Sequence, residues 1–189
     1  MANIILNTLI IKVFIVNIKI SKIGYVRYLR KIYNSFMNEI CNKHDKYMQI
    51  ALEEAIKSSK DVPVGAIIVK DDKVITRACN RKELENDPTS HAEILAIREA
   101  ANIIGNWRLD NTSIYVTLEP CPMCAAAILY SRIPNVYFGA YDPLYGALGS
   151  AINMTELIKF KPQIIGGIQE KSCRNLLKDF FIQQRENHE

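Results

Sequence analysis

The stretch SIYVTLEPCPMCAAAILYSRIPNVYFGA, residues 113–140, decides the fold. Its first six residues, SIYVTL, are β-branched and apolar in the manner of a short buried strand. Pro120 and Pro122 come next. Proline suits the first turn of a helix, whose N–H groups lack intrahelical partners, so CPMCAAAILYSR reads as a helix opening at that point. NVYFGA is then a second strand. Strand, helix and strand in succession are the unit of a layered α/β fold.

The flanking sequence extends the same alternation. Upstream, HAEILAIREA (residues 91–100) follows the Pro and cap residues of DPTS and opens a helix running to Ala101. VPVGAIIVK and KVITRACN, separated by Asp71 and Asp72, read as a hairpin of two strands. Residues 45–58 place Met48, Ala51, Leu52, Ala55 and Ile56 at the 3–4 spacing of an amphipathic helix. Downstream, residues 146–150 form a Gly-containing loop, QIIGGI a last strand, and residues 171–185 a final helix. The expected architecture is a three-layer α/β/α sandwich that begins with a hairpin.

Composition fits one domain. The chain has 189 residues, 49% hydrophobic and 23% charged, enough for a sizeable core and too few for a second full domain. Its net charge of +4 is unevenly placed. Residues 1–43 hold seven Lys/Arg and one acid, Glu39, while the other 17 basic and 19 acidic residues leave the rest at −2. Composition alone therefore does not argue for nucleic-acid binding. Five cysteines, an odd number without regular spacing, do not make a disulfide framework and fit a reducing compartment. Cys79 and Cys173 read as buried small hydrophobes, His44 and His188 as solvent-facing, and Trp107 as core or loop packing.

Residues 4–20, IILNTLIIKVFIVNIKI, are a separate matter. A membrane span needs about 20 mainly apolar residues, and mid-span charges cost roughly 2.5–3.5 kcal/mol each. Lys12 and Lys19 argue against a span, and neither a leading positive charge nor a clear cleavage site marks a signal peptide. The expectation is an N-terminal extension over 1–40, with 1–36 outside the working protein and Met37 opening an ordinary first helix. Organellar targeting or a weak anchor are the alternatives. The working domain is expected over 44–186.

Cys121 and Cys124, at i and i+3, put both sulfurs on one side of a first helical turn. A helix N-terminus favours thiolate, the form that binds metal. His91 also opens a helix that follows a strand, and in an α/β sheet such turns meet at the carboxyl edge. Two thiolates and an imidazole are three ligands for zinc, leaving a fourth position for water, as in catalytic sites. Zinc lowers the pKa of that water to about 7. Glu93, two residues from His91, stands beside such a metal as a proton carrier without ligating it. Alone, C-x-x-C also suits a thioredoxin-like redox pair or half of a structural zinc site, and His91 alone suits a cap.

The combination H-x-E with P-C-x-x-C resembles the zinc nucleobase deaminases. The likeness extends over DVPVGAIIV, NDPTSHAEILAI, WRLDNTSIYVTLEPCPMCAAAILYSRI, VYFGAYDPLYGALGS and LLKDFF. From His44 to Arg185 the chain resembles the tRNA-specific adenosine deaminases, which convert the wobble adenosine to inosine. That resemblance implies a cytidine deaminase-like fold with a mixed five-stranded sheet. It implies one Zn2+ per subunit on His91, Cys121 and Cys124, with Glu93 carrying protons between water, N1 of adenine and the leaving amine. It also implies substrate contacts from Asn80 to the base, from Asp142 near the anticodon loop, and from Phe180 and Phe181 closing the site. The partners it implies are a tRNA anticodon stem-loop and a second copy in a homodimer, with no DNA, no membrane association and a cytoplasmic location.

Three departures from the family pattern bear on RNA contacts and not on the metal. Tyr145 stands where lysine is usual, CAAA (124–127) replaces CAGA, and only Arg185 follows the Phe pair before ENHE. The rival readings are a deaminase of free guanine, cytosine or a nucleotide, and a non-catalytic RNA-binding subunit with structural zinc. Such subunits commonly lose the glutamate, and Glu93 is present.

Overall fold

A computed structural model describes residues 22–186. The chain divides into two compact units, Met1–Cys41 and Asn42–Glu189. The Ile-rich residues 4–20, together with His188, lie outside the described residues. Among the described residues, no helix is long and apolar enough to cross a membrane.

Helix α1 spans Lys22–Ala55 and closes in a 3₁₀ turn, Ile56–Ser58. It begins far upstream of the expected Asp45. No Gly or Pro interrupts residues 25–62, so nothing in that stretch breaks a helix. The apolar periodicity is legible only after residue 45, where one face meets the sheet through Tyr47, Met48, Ala51 and Leu52.

In the second unit a hairpin, β1 (Gly65–Lys70) and β2 (Lys73–Cys79), leads through a one-turn helix α2 (Lys82–Glu85) into α3 (Ala92–Ile104). Then come β3 (Thr112–Leu118), α4 (Pro122–Tyr130), β4 (Asn135–Ala140), a short β5 (Gln163–Ile165) and α5 (Glu170–Glu186). The five strands form one mixed sheet in the order β2-β1-β3-β4-β5. β1 runs antiparallel to both neighbours, while β3, β4 and β5 are parallel. The expected first strand began at Val62, but pairing starts at Gly65, because Pro63 has no N–H to give a ladder.

Strand alternation divides the core into two layers. Ala66, Ile68, Ile114, Val116, Val136 and Phe138 point to one face, where Ala92, Ala96 and Ala100 of α3 and Ala125 and Ile128 of α4 cover them. Ile67, Val69, Tyr115 and Tyr137 point to the other, under α1 and Cys173, Leu176 and Leu177 of α5. The result is the α/β/α sandwich.

Gly65 shows how closely these layers approach. A Cβ there would lie 2.0 Å from the Ala51 carbonyl oxygen and 2.6 Å from the Ala55 nitrogen, both backbone atoms of α1. We expect Gly65→Ala to destabilise the protein by about 3 kcal/mol or more, the upper end for overpacking, since no rotamer change relieves it. Urea unfolding that shows a loss below about 1 kcal/mol would mean that α1 shifts freely on the sheet.

His44 is not solvent-facing as expected. Its Nδ1 lies 2.9 Å from the Tyr115 hydroxyl, and its ring centroid lies 4.3 Å from that of Tyr137. Burial, and then the neighbouring Lys43 charge, holds its pKa below the usual value, against the weaker pull of Asp45. The unfolded chain therefore takes up the proton first as pH falls. Stability present above about pH 6.5 declines below it, by at most about 1.4 kcal/mol per pH unit for this one group. The difference between wild type and His44→Gln in urea midpoint should grow on the acid side of neutrality, and a pH-independent difference would reject this account.

Trp107 is not in the core. It is 63% exposed, with the Arg108 guanidinium 5.6 Å over its ring. Cys173 is buried as expected, whereas Cys79 is half-buried.

Candidate active site

Because β1 alone runs the other way, β2, β3 and β4 all end at the same edge of the sheet. Their next residues are Asn80, Glu119 and Tyr141. Sites in α/β sheets form at such carboxyl edges. A cavity of about 600 Å³ opens here, lined by Asn80, His91, Glu93, Cys121, Asp142 and Phe181 among others.

Two helix N-termini converge on it. His91 is the N-cap of α3 and Cys121 the N-cap of α4, each with extended backbone angles and neither using its side chain as a cap. Both side chains are thus free to turn into the cavity. Pro122 fixes the first turn of α4, and the Ala125 N–H donates to the Cys121 carbonyl at 2.8 Å. That turn brings Cys124 onto the side of Cys121. Partial positive charge at both helix starts favours anionic sulfur.

The donor set fits zinc. His91 Nδ1 lies 3.8 Å from Cys121 Sγ and 3.6 Å from Cys124 Sγ. Zn–S and Zn–N bonds at tetrahedral angles place sulfur and nitrogen about 3.6 Å apart. Among the described residues, these three side chains are the group whose ligand atoms converge, all within 4.8 Å of one another. Cys79 and Cys173 do not belong to it. In the metal-free arrangement a hydrogen bond from Cys124, aided by His91, brings the Cys121 thiol down to about 4. The same bond, with burial, raises the Cys124 thiol, and the bond to Cys121 raises the His91 imidazole.

Glu93 stands in the first turn of α3 and is only 4% exposed. Its Oε2 is buried with no hydrogen-bond partner. Burial pushes its carboxyl up to about 7, and the nearby Cys121 sulfur adds to the rise. An unsatisfied buried carboxylate is costly, so this group is suited to exchanging a proton near neutrality.

Asn80 is braced on both sides. Its Nδ2 donates to the Val62 carbonyl at 2.9 Å, and its Oδ1 accepts from the Ala92 N–H at 2.9 Å. It thereby caps α3 from another strand, in place of the His91 side chain. The Asp142 Oδ1 accepts from the Leu144 and Tyr145 N–H groups at 2.9 and 3.1 Å, shaping the turn that carries both side chains along the rim. The Phe pair is split. Phe181 lines this cavity, while Phe180 lines a separate, smaller pocket with Pro63 and Leu176. Sequence reasoning missed Glu119, a buried carboxylate that lines the cavity. An acidic residue between an apolar strand and a proline is the signal that could have found it.

Residues 41–140 match the family described as the cytidine and deoxycytidylate deaminase zinc-binding region. A tRNA-specific adenosine deaminase of Bacillus subtilis (strain 168) is 42% identical over 143 residues, covering 74% of this chain and 89% of that protein. A structure from work on A-to-I editing by tRNA:A34 deaminases at the wobble position of transfer RNA is similar at TM-score 0.65. Its identity is 39%, over 69% of this chain and 98% of that one. The structure of guanine deaminase from Bacillus subtilis is similar at TM-score 0.50 and 38% identity, over 52% of this chain and 64% of that one.

Proposed function

We propose that this chain, which belongs to the zinc-binding cytidine and deoxycytidylate deaminase family and within it to the tRNA-specific adenosine deaminases, hydrolyses adenosine to inosine at the tRNA wobble position. The observation that carries the reading is the convergence of His91, Cys121 and Cys124, the first two lining a cavity that Glu93, with one buried unpaired oxygen, lines as well. Its rim, with Leu144, Tyr145 and Phe181, supplies apolar and aromatic surface for an unstacked base.

His91, Cys121 and Cys124 would hold the zinc, which would supply Lewis-acid activation of water at neutral pH. Glu93 would accept a proton from the attacking water and pass it to N1 of the adenine, then take the proton of the new C6 hydroxyl and give it to the departing amine as the C6–N bond breaks. Asn80 keeps the start of α3 in place, so that His91 and Glu93 face the base from one fixed turn, and its remaining N–H is available to the base. Asp142 sets the rim turn, and Phe181 closes the far wall beside it.

The deaminase domain is residues 44–186, and residues 1–40 are an extension outside the chemistry. The reaction is cytoplasmic, in keeping with four unpaired described cysteines. The protein acts as a homodimer. α4 is apolar all round, and Met123, Ala126, Ala127 and Tyr130 form an outer side that no other part of the domain fully covers. An all-round apolar helix belongs inside a larger core, which a second copy supplies.

The test is an inosine assay on a synthetic anticodon stem-loop with a wobble adenosine, using the full chain and measuring zinc on the same sample. Inosine at the wobble position is the expected result. Ammonia from guanine with no inosine from the stem-loop, at full zinc loading, would move the protein to the free-base deaminases.

A further inference from the structure

We propose that Glu119 is a positioning residue for RNA recognition, fixing the loop of residues 142–150 to the strand end that carries the metal ligands. This rests on the tRNA reading and extends it to a residue without a role in the chemistry. Glu119 follows β3 directly and precedes Cys121 by two residues, and its side chain is buried. Both carboxylate oxygens are occupied by the loop. Oε1 accepts from the Leu148 and Ser150 N–H groups at 3.0 and 3.1 Å. Oε2 accepts from the Asp142 N–H at 3.2 Å and from the Ser150 hydroxyl.

Two further observations show that the loop is built around this carboxylate. A Cβ on Gly146 would lie 2.4 Å from Glu119 Oε2 and 2.4 Å from the Asp142 carbonyl oxygen, so the loop closes on the carboxylate with no side chain between. The backbone beside it is joined as well: the Glu119 N–H donates to Ala140, and the Ala147 N–H to Pro120, at 2.8 and 2.9 Å. The Asp142 backbone is thus held by Glu119, and the Asp142 side chain in turn holds Leu144 and Tyr145. Those two are 76% and 68% exposed, the apolar and aromatic rim an RNA base would meet. The rim is therefore tied to the strand end that leads into Cys121 through this carboxylate as well as through the backbone.

Glutamine separates this role from mere filling of space. In E119Q the single carbonyl oxygen keeps Leu148 and Ser150, and the amide faces the Asp142 N–H and the Ser150 hydroxyl. The hydroxyl turns round to accept, but two N–H groups cannot pair. The variant releases Asp142 and leaves the far side of the loop in place.

The experiment compares full-length wild type, E119Q and S150A for zinc content, amide hydrogen exchange over residues 141–152, and kcat and KM on the anticodon stem-loop. For E119Q we expect full zinc, faster exchange at Asp142 and Leu144, and KM raised about tenfold or more with kcat within about threefold, as for a lost charge-assisted hydrogen bond. S150A, which removes only the hydroxyl donor, should raise KM about two- to threefold. Faster exchange with unchanged KM would overturn the proposal, as would loss of zinc in proportion to loss of activity. Should E119Q not fold, an unchanged KM in S150A overturns it instead. Absence of inosine from wild type would sink the tRNA reading and with it the RNA-recognition role. The exchange comparison would still decide whether Glu119 holds the loop.

Discussion

Glu93→Ala should keep its zinc and lose turnover by about 10²–10⁴-fold, the usual contribution of a positioned acid–base group. The reason lies in what Glu93 does not do. It is outside the group of converging donors and leaves one buried oxygen unpaired, which a structural carboxylate rarely does. Inosine formation and zinc content measured on the same sample check the prediction, and activity within a few-fold of wild type would remove Glu93 from the mechanism. Metal-free protein offers a second reading of the same group. Its folded carboxyl keeps a proton up to about pH 7, whereas the unfolded one ionises near 4.5. The fold is therefore penalised increasingly as pH rises from 4.5 through 7. Glu93→Gln should abolish that slope in urea titrations of the stripped protein.

Cys124→Ala should abolish zinc binding and activity together, and take with them the stability that depends on zinc. Cys124 is fully buried under the cavity, so no water-exposed substitute ligand replaces it. A ligand that binds only the folded state stabilises it by about 2.7 kcal/mol at 100 times its Kd and about 4.1 at 1,000 times. We expect wild type to lose about 4 kcal/mol or more on chelation at micromolar zinc, and Cys124→Ala to be indifferent to zinc and chelator alike. A zinc-dependent rise in Tm in the variant would show that the metal sits elsewhere.

The parts of this molecule that follow from local pattern were legible in its sequence. Short β-branched and apolar runs in β1, β3 and β4 placed the sheet, and Pro122 placed the start of α4. The candidate metal ligands drew notice in the sequence because His91 and Cys121 open helices and Cys124 follows Cys121 by three residues. Adjacent residues on a helix point about 100° apart, so Phe180 and Phe181 face two pockets; their pairing in sequence suggested one. What Glu119 holds was illegible for another reason. Three of its four donors are backbone N–H groups 23 to 31 residues downstream, and backbone amides leave no mark on the residue types around them.

His91 and Cys121 hang from helices that follow β2 and β3, and these strands are not neighbours: β1 lies between them. The ligands therefore reach one another only after β1 has paired on both edges. A chain in which only the hairpin and α3 have formed would present an isolated histidine, and one in which only β3 and α4 have formed an isolated C-x-x-C. Zinc capture by these residues would follow the pairing of β1, and a destabilised sheet would be expected to show first as poor metal occupancy.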